Sequence, residues 1–269
     1  MKRLIRYTAS VVCLFCVTTM FLSAQKDSLQ TSKSESAASA LEWNLDVGFN
    51  IGGAMPVPIP REVRKIESYN PKINPHIGIR TTYNLDKKNN RWAIGSSLSL
   101  DSKGMRVSDR VKYMHAKVTV SEKGSADPRI VEGDFVGRNT TNVNMLYATI
   151  SLFGRYTIHP KWELTAGLYG ASTLKSTFDG DISDGYLLTD DGDRVVIDEG
   201  MTATFDFSDD IRDFDAGVVV GGKFKMNRNI GFFANMTWGL TDIFYRGANP
   251  INFKLQNVYG QIGISYNLK

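Results

Sequence analysis

The chain of 269 residues carries 32 Lys and Arg against 28 Asp and Glu, a net charge of +4. Three of those cations, Lys2, Arg3 and Arg6, crowd the N-terminus, and without them 29 basic residues face 28 acidic ones. That balance, with no concentrated basic face, excludes a nucleic-acid partner; both cysteines, Cys13 and Cys16, sit in the same N-terminal segment, so the rest has no thiol for a disulfide or a metal.

Behind the N-terminal cations an apolar run from Val11 to Leu22 ends in Leu22-Ser23-Ala24, a small-residue cleavage signal. The run is shorter than the roughly 20 residues a spanning helix needs. Residues 1–24 therefore read as a secretory signal peptide rather than a retained anchor, and Gln25 offers no thiol for a lipid. From Gln25 to Ala40 the chain is Ser, Lys, Glu, Gln and Ala with one Leu, too little apolar surface to offset the entropy of ordering. Residues 25–40 are expected to be a flexible periplasmic leader. No Pro/Gly-rich linker divides residues 41–269, which are expected to form one domain.

From Leu41 onward, apolar residues recur at every second position, the period of a strand whose two faces meet different surroundings. The first stretch sets Leu41, Trp43, Leu45, Val47, Phe49 and Ile51 against Glu42, Asn44, Asp46, Gly48 and Asn50. Seven more follow: His76 to Leu85, Trp92 to Asp101, Leu146 to Ile158, Trp162 to Leu174, Phe214 to Met226, Ile230 to Thr241 and Asn257 to Leu268. Across the eight, one face holds 49 positions and no charge, whereas the other carries Glu42, Asp46, Arg80, Asp101, Arg155, Glu163, Asp215, Lys223 and Lys225.

A water-soluble barrel puts its apolar side chains inside, whereas a membrane barrel turns them to lipid around a polar interior. Here the second face, rich in Gly, Ser, Thr and Asn, is too small and too polar for a dry core. A Lys or Arg at the lipid midplane costs about 2–4 kcal/mol, which accounts for a first face without exceptions. The connections also alternate: about 24 residues, the turn Asp86 to Asn90, about 40 residues, the turn His159 to Lys161, the long segment Lys175 to Asp213, the turn Asn227 to Asn229, and a last loop around Pro250. The expectation is an all-β, eight-stranded antiparallel up-and-down transmembrane β-barrel with short periplasmic turns and long extracellular loops, in the outer membrane.

Trp43, Tyr83, Trp92, Tyr156, Trp162, Phe224, Phe232 and Tyr266 all fall at the short-turn ends of their strands on the apolar face, where aromatic rings form an interfacial girdle. Inside, levelling Leu41 with Leu85 puts Asp46 opposite Arg80, and Arg155 lies diagonal to Glu163; both are expected to be ion pairs that plug and stiffen the lumen. An eight-stranded interior is just filled by side chains.

At this point the chain resembles the PorT-like family of outer-membrane β-barrel domains, relatives in shape of the small OmpA/OmpX-type barrels, over about Leu41 to Lys269. The likeness rests on Phe214-Asp215-Ala216-Gly217 leading a Gly-rich strand, Trp238-Gly239-Leu240-Thr241-Asp242-Ile243, and a terminal strand opened by Asn257 and ending in Tyr266-Asn267-Leu268. The chain closes on Leu268-Lys269 rather than on the usual aromatic residue. The resemblance implies fold and compartment; its members differ in role and include components linked to protein secretion.

Candidate chemistry is sparse. His76, His115 and His159 are too far apart to act together, and a Ser/His/Asp site at His76 or His115 competes with plain polar surface. The acidic run Phe178 to Asp215 could gather a divalent cation, but Asp184 stands where the EF-hand pattern requires Gly; a solvated hairpin, Tyr186 to Thr189 returning as Arg194 to Ile197 across Asp191-Gly192, is the alternative. From Met105 to Arg138, weak alternation at Val107, Val111, Tyr113, Val118 and Val120 suits an extension of the flanking strands; Arg106, Arg110, Lys112, Lys117, Lys123, Arg129 and Arg138 could meet lipopolysaccharide phosphates, but a plain soluble hairpin is the favoured reading. No catalytic set, cofactor or metal is expected. Three functions stay open: a structural or interaction scaffold acting through its loops on envelope partners, which the long loops favour, a narrow pore, and an outer-membrane hydrolase.

Overall fold

The structure is a computed structural model in which residues 41–57, 62–85, 91–122, 129–189, 191–197, 201–245 and 254–268 are described. The expected signal peptide and leader with both cysteines, the expected turn at 86–90, the expected loop around Pro250, and Lys123, Asp190, Asp198 and Glu199 lie outside the described residues.

Eleven strands follow one another: β1 (Leu41–Pro56), β2 (Val63–Asn70), β3 (Asn74–Asn84), β4 (Trp92–Glu122), β5 (Arg129–His159), β6 (Trp162–Thr189), β7 (Arg194–Ile197), β8 (Met201–Asp206), β9 (Phe214–Lys225), β10 (Ile230–Gly239) and β11 (Leu255–Asn267). Sequence alternation counts eight; β7 is the returning strand of the hairpin expected from Tyr186 to Ile197, while β2 and β8 lie in segments that read as loops. The sheet runs β2-β4-β3-β1-β11-β10-β9-β6-β5, and β5 pairs in turn with β4, so the path returns on itself as an antiparallel barrel.

The side-chain distribution inverts that of a water-soluble domain. Large apolar residues such as Phe49, Ile79, Leu152, Leu168 and Ile264 are exposed on the outside, while Asp46, Arg155, Glu163, Lys223 and Gln261 are buried within. On β5 the outward apolar band runs from Leu146 to Ile158. A rise of about 3.3 Å per residue tilted by about 40° gives it a height of about 30 Å, close to the about 25 Å apolar belt of such barrels plus their interfacial edges.

Among the described residues, the segments between Leu100 and Leu146 and between Leu174 and Phe214 are largely strand. β4 and β5 pair from Trp92↔Tyr156 to Val120↔Arg129, interrupted by one register shift, and β5 continues against β6 up to Gly133↔Thr189. At 31 residues each, β4 and β5 are about 100 Å long at about 3.3 Å per residue, well beyond the about 9–11 residues needed to span. The two faces exchange chemistry along the way. Outward on β5, Leu146, Ile150 and Leu152 give way above Leu146 to Asn144, Asn142, Thr140 and Arg138; inward, Arg155 and Thr149 give way to Tyr147, Met145, Val143 and Phe135. Within the lipid the strand is apolar outside and polar inside, and above it the reverse holds. Register irregularities accompany the rise: β6 shifts at Leu174, where the faces exchange, and higher up β4 shifts at Tyr113, which has φ 56°, and β6 at Asp184–Gly185, where Asp184 has φ 50°.

The upper segments fold into a second compact layer. β2 pairs with β4 above β3, while β8 bridges β4 and β6 through Thr119↔Thr204 and Asp181↔Thr204. The buried core, including Val118, Phe135, Val143, Phe178, Ile182, Leu187 and Phe205, sits here rather than in the lipid-embedded part. The hairpin between β6 and β7 pairs Tyr186↔Val196 and Leu188↔Arg194, turning through Gly192 at φ +86°, a conformation glycine adopts without a Cβ penalty.

Candidate functional site

Alternation delivers one polar side chain per two residues from each wall strand into the lumen, and these groups satisfy one another in layers. At the short-turn end, Arg155 Nη1 lies 2.8 Å from Glu42 Oε2 and 3.1 Å from Glu163 Oε1, and Lys225 Nζ lies 2.7 Å from the same Glu163 oxygen. Arg155 also donates to Asn84, and Lys223 Nζ donates to Asn44 Oδ1 at 2.9 Å. Next, Arg80 Nε donates to Asp46 Oδ2 at 2.8 Å, its guanidinium 5.2 Å from the Phe153 ring centroid. Asp46 with Arg80 and Arg155 with Glu163 are each buried against a counter-ion, which offsets much of the cost of leaving water, although Asp46 Oδ1 and Arg155 Nε have no hydrogen-bond partner among the described residues.

Higher up, Asp101 gathers His76 Nδ1 at 2.7 Å, Ser99 Oγ at 2.7 Å and Asn50 Nδ2 at 3.2 Å. Expected as polar surface, His76 is instead buried in the lumen, since its parity is that of Arg80 and Thr82. Ser99 bonds the carboxylate of Asp101 rather than the imidazole, so the trio lacks the nucleophile–base contact of a hydrolase. Above it Lys103 Nζ sits 5.1 Å from the ring centroids of both Tyr147 and Tyr169, 5.5 Å from that of Tyr259, and 3.9 Å from Asp215 Oδ2. Tyr169 and Asn257 donate to that same Asp215 oxygen at 3.0 Å each, and Thr241 to the other at 2.6 Å. This cation–π cage with its counter-ion roofs the lumen.

Five carboxylates (Glu42, Asp46, Asp101, Glu163, Asp215) thus meet five cations (Arg80, Lys103, Arg155, Lys223, Lys225). The space left between the middle layers is about 40 Å³, room for one or two waters. Sequence reading placed the Asp46–Arg80 and Arg155–Glu163 sets but missed the His76–Asp101 and Lys103–Asp215 clusters. Lys103 stands two residues beyond Asp101, so its inward parity was the available signal.

Among the residues expected to form a girdle, Trp92 and Tyr156 are cross-strand partners with ring centroids 4.6 Å apart, and Trp162 and Phe224 are likewise paired at 4.8 Å. Phe232 follows Phe224 in register, and Tyr266 lies beside Leu45 and Ile230. Tyr83 is exposed beside Ile94, and Trp43 is half-buried on β1.

Above the lipid, Glu67 on β2 ties the tall strands together, accepting from Arg110 Nε at 2.7 Å and Arg138 Nε at 2.9 Å. The Arg110 hydrogen bond, with Arg138 beside it, holds its carboxyl below the usual range. Burial pushes the Asp109 carboxyl up despite the hydrogen bond from Asn139 at 2.9 Å. Arg138 also reaches Asp184, and His115 faces Glu132 and Asp134 at 3.2 and 3.6 Å, half-exposed. His159 lies exposed beside the turn at Pro160.

A model of the outer membrane protein β-barrel domain family matches residues 23–245. No curated protein matches the chain. Among solved structures, the attachment invasion locus protein Ail of Yersinia pestis, in complex with the heparin analogue sucrose octasulfate, is similar at 11% identity, with 85% of this chain and 99% of that chain covered and a TM-score of 0.38. Neisserial surface protein A is similar at 10% identity, with 86% and 99% covered and a TM-score of 0.30.

Proposed function

The chain belongs to the outer membrane protein β-barrel domain family, and from that premise we propose that β1, β3, β4, β5, β6, β9, β10 and β11 form an eight-stranded membrane barrel that serves as a scaffold, with its interaction surface in the extension above the lipid. In this reading residues 1–24 are a secretory signal peptide that is removed after export, residues 25–40 are the periplasmic leader, and the PorT-like group is its place within the family. The observation that carries this reading is the division of labour along β4, β5 and β6: the lumen below is filled by mutually neutralising side chains, while the same strands rise into a layer with a buried core of its own. A rigid platform of this kind suits partner binding.

The partners are envelope components meeting the polar outer face of the extension. Arg106 and Lys72 stand just above the apolar band, with Lys72 Nζ 2.7 Å from Asn144 Oδ1, at the height of lipopolysaccharide phosphates. The lumen contents argue against a pore, and Ser99 bonding to Asp101 argues against a hydrolase. Replacing residues 107–139 by a short Gly-Asn turn tests the assignment. The shortened protein is expected to reach the outer membrane with heat-modifiable mobility and to lose cross-links from the cell surface. Stepwise conductance of the intact protein in planar bilayers would favour the pore, and lipid or peptide hydrolysis abolished by His76→Ala or His115→Ala would favour the enzyme.

A further inference from the structure

An apolar cavity of about 770 Å³ lies in the extension above the Lys103 cage, within the size range of about 300–1,000 Å³ of small-molecule sites. Its inner wall is Met105, Met114, Phe178 and Phe205, all buried in the upper core. The opposite wall is Met55, Met236, Trp238 and Val258, which belong to the outward, lipid-facing side of β1, β10 and β11. The two walls meet because the strands differ in height: β1 ends at Pro56, β10 ends at Gly239 and β11 starts at Leu255, whereas β4, β5 and β6 continue upward. The cavity therefore runs over the rim of the short wall and opens sideways, at the level where the outward face changes from apolar to polar.

We infer that this cavity takes a long acyl chain of an outer-leaflet lipid, drawn in laterally past Trp238. The inference rests on the membrane-barrel reading above. Three features select this occupant. The entrance is lined by the same side chains that touch hydrocarbon, so a chain passes from lipid to cavity without crossing water. The walls are thioether, aromatic and aliphatic, with Met55, Met105, Met114 and Met236 supplying adaptable surface for a flexible chain. The polar groups of the lining are few and engaged with one another or with neighbours: Asn139 donates to Asp109 and Thr141, and His115 faces Glu132 and Asp134, so the lining is mainly apolar and gathers no cluster of like charges for an ionic ligand.

The test uses the full-length mature protein in nanodiscs of phosphatidylcholine carrying a diazirine in one acyl chain, with illumination followed by peptide mass spectrometry. Label is expected at Met105, Met114 or Phe178 as well as at outward Leu152 and Leu168. Met114→Trp, which fills the cavity, is expected to abolish the inner label and keep the outer one. Label confined to Leu152 and Leu168 overturns the inference and leaves the barrel intact; no label at those two overturns the barrel reading itself. In a second arm a diazirine fatty acid is added from water to discs of plain lipid. Inner labelling by that probe but not by the lipid overturns the lateral, membrane origin of the occupant.

Discussion

Leu152→Arg places a charge at the middle of the outward band on β5, which runs from Leu146 to Ile158, and opposite Leu168, the middle of the band on β6. At the bilayer midplane such a substitution costs about 2–4 kcal/mol, falling to about 0–1 kcal/mol near the interfaces. Ile158→Arg, at the periplasmic edge, is the matched control, because the two side chains are similarly exposed, 66% and 58%. Exposure alone would make both changes nearly neutral, within about 0.5 kcal/mol. Folding into phosphatidylcholine vesicles, followed by urea titration and the gel-mobility shift of the folded barrel, measures both variants, with Leu152→Ala and Ile158→Ala correcting for the lost side chain. The account requires Leu152→Arg to be the costlier by about 2 kcal/mol or more. Equal costs at the two depths would refute the assignment of that face to lipid.

Asp46→Asn leaves the Arg80 guanidinium without its counter-ion in a site where both side chains are nearly buried, and is expected to destabilise the barrel by about 3 kcal/mol or more in the same titration. Glu67→Gln is expected to increase protease cleavage within β2 on intact cells without altering barrel assembly. Because Arg110 and Arg138 hold the Glu67 carboxyl below its usual value, this tie is fully present above the unfolded pKa of about 4.5 and is lost as pH falls through the lower folded value; β2 in the unmodified protein should become protease-sensitive over that acid range. Gly192→Val forces a β-branched side chain into φ +86°, a strain of about 1–2 kcal/mol, and is expected to speed hydrogen exchange at Leu187 and Leu188 while leaving the lipid-embedded strands unchanged.

The lipid-embedded half of the fold is legible in the sequence because its two solvents differ so sharply that alternation and absence of charge survive at every outward position. The extension is legible only as the weak alternation from Met105 to Arg138, since above Leu146 on β5 the chemistry of the two faces is exchanged. Val143 and Met145 point inward where Thr149 and Arg155 do lower down, so an alternation defined by one apolar face fades where the faces swap. The irregularities at Tyr113 and Leu174 then shift the parity of β4 and β6, and the alternation weakens further. The lumen divides similarly. Asp46 and Arg80 stand on wall strands that adjoin in the sheet, which turn lengths and parity locate. Lys103 and Asp215 meet across the barrel from β4 to β9, which depends on tilt and stagger that no local pattern encodes.

The most direct test is tryptophan fluorescence of the native protein in bilayers containing brominated phosphatidylcholines, because all four tryptophans, Trp43, Trp92, Trp162 and Trp238, are assigned to the outward face near the two interfaces. Emission should be quenched strongly by lipids brominated near the headgroup, less by those brominated at the chain end, and little by aqueous iodide. Emission indifferent to bromine in the lipid, from a chain that stays dissolved without detergent, would contradict it.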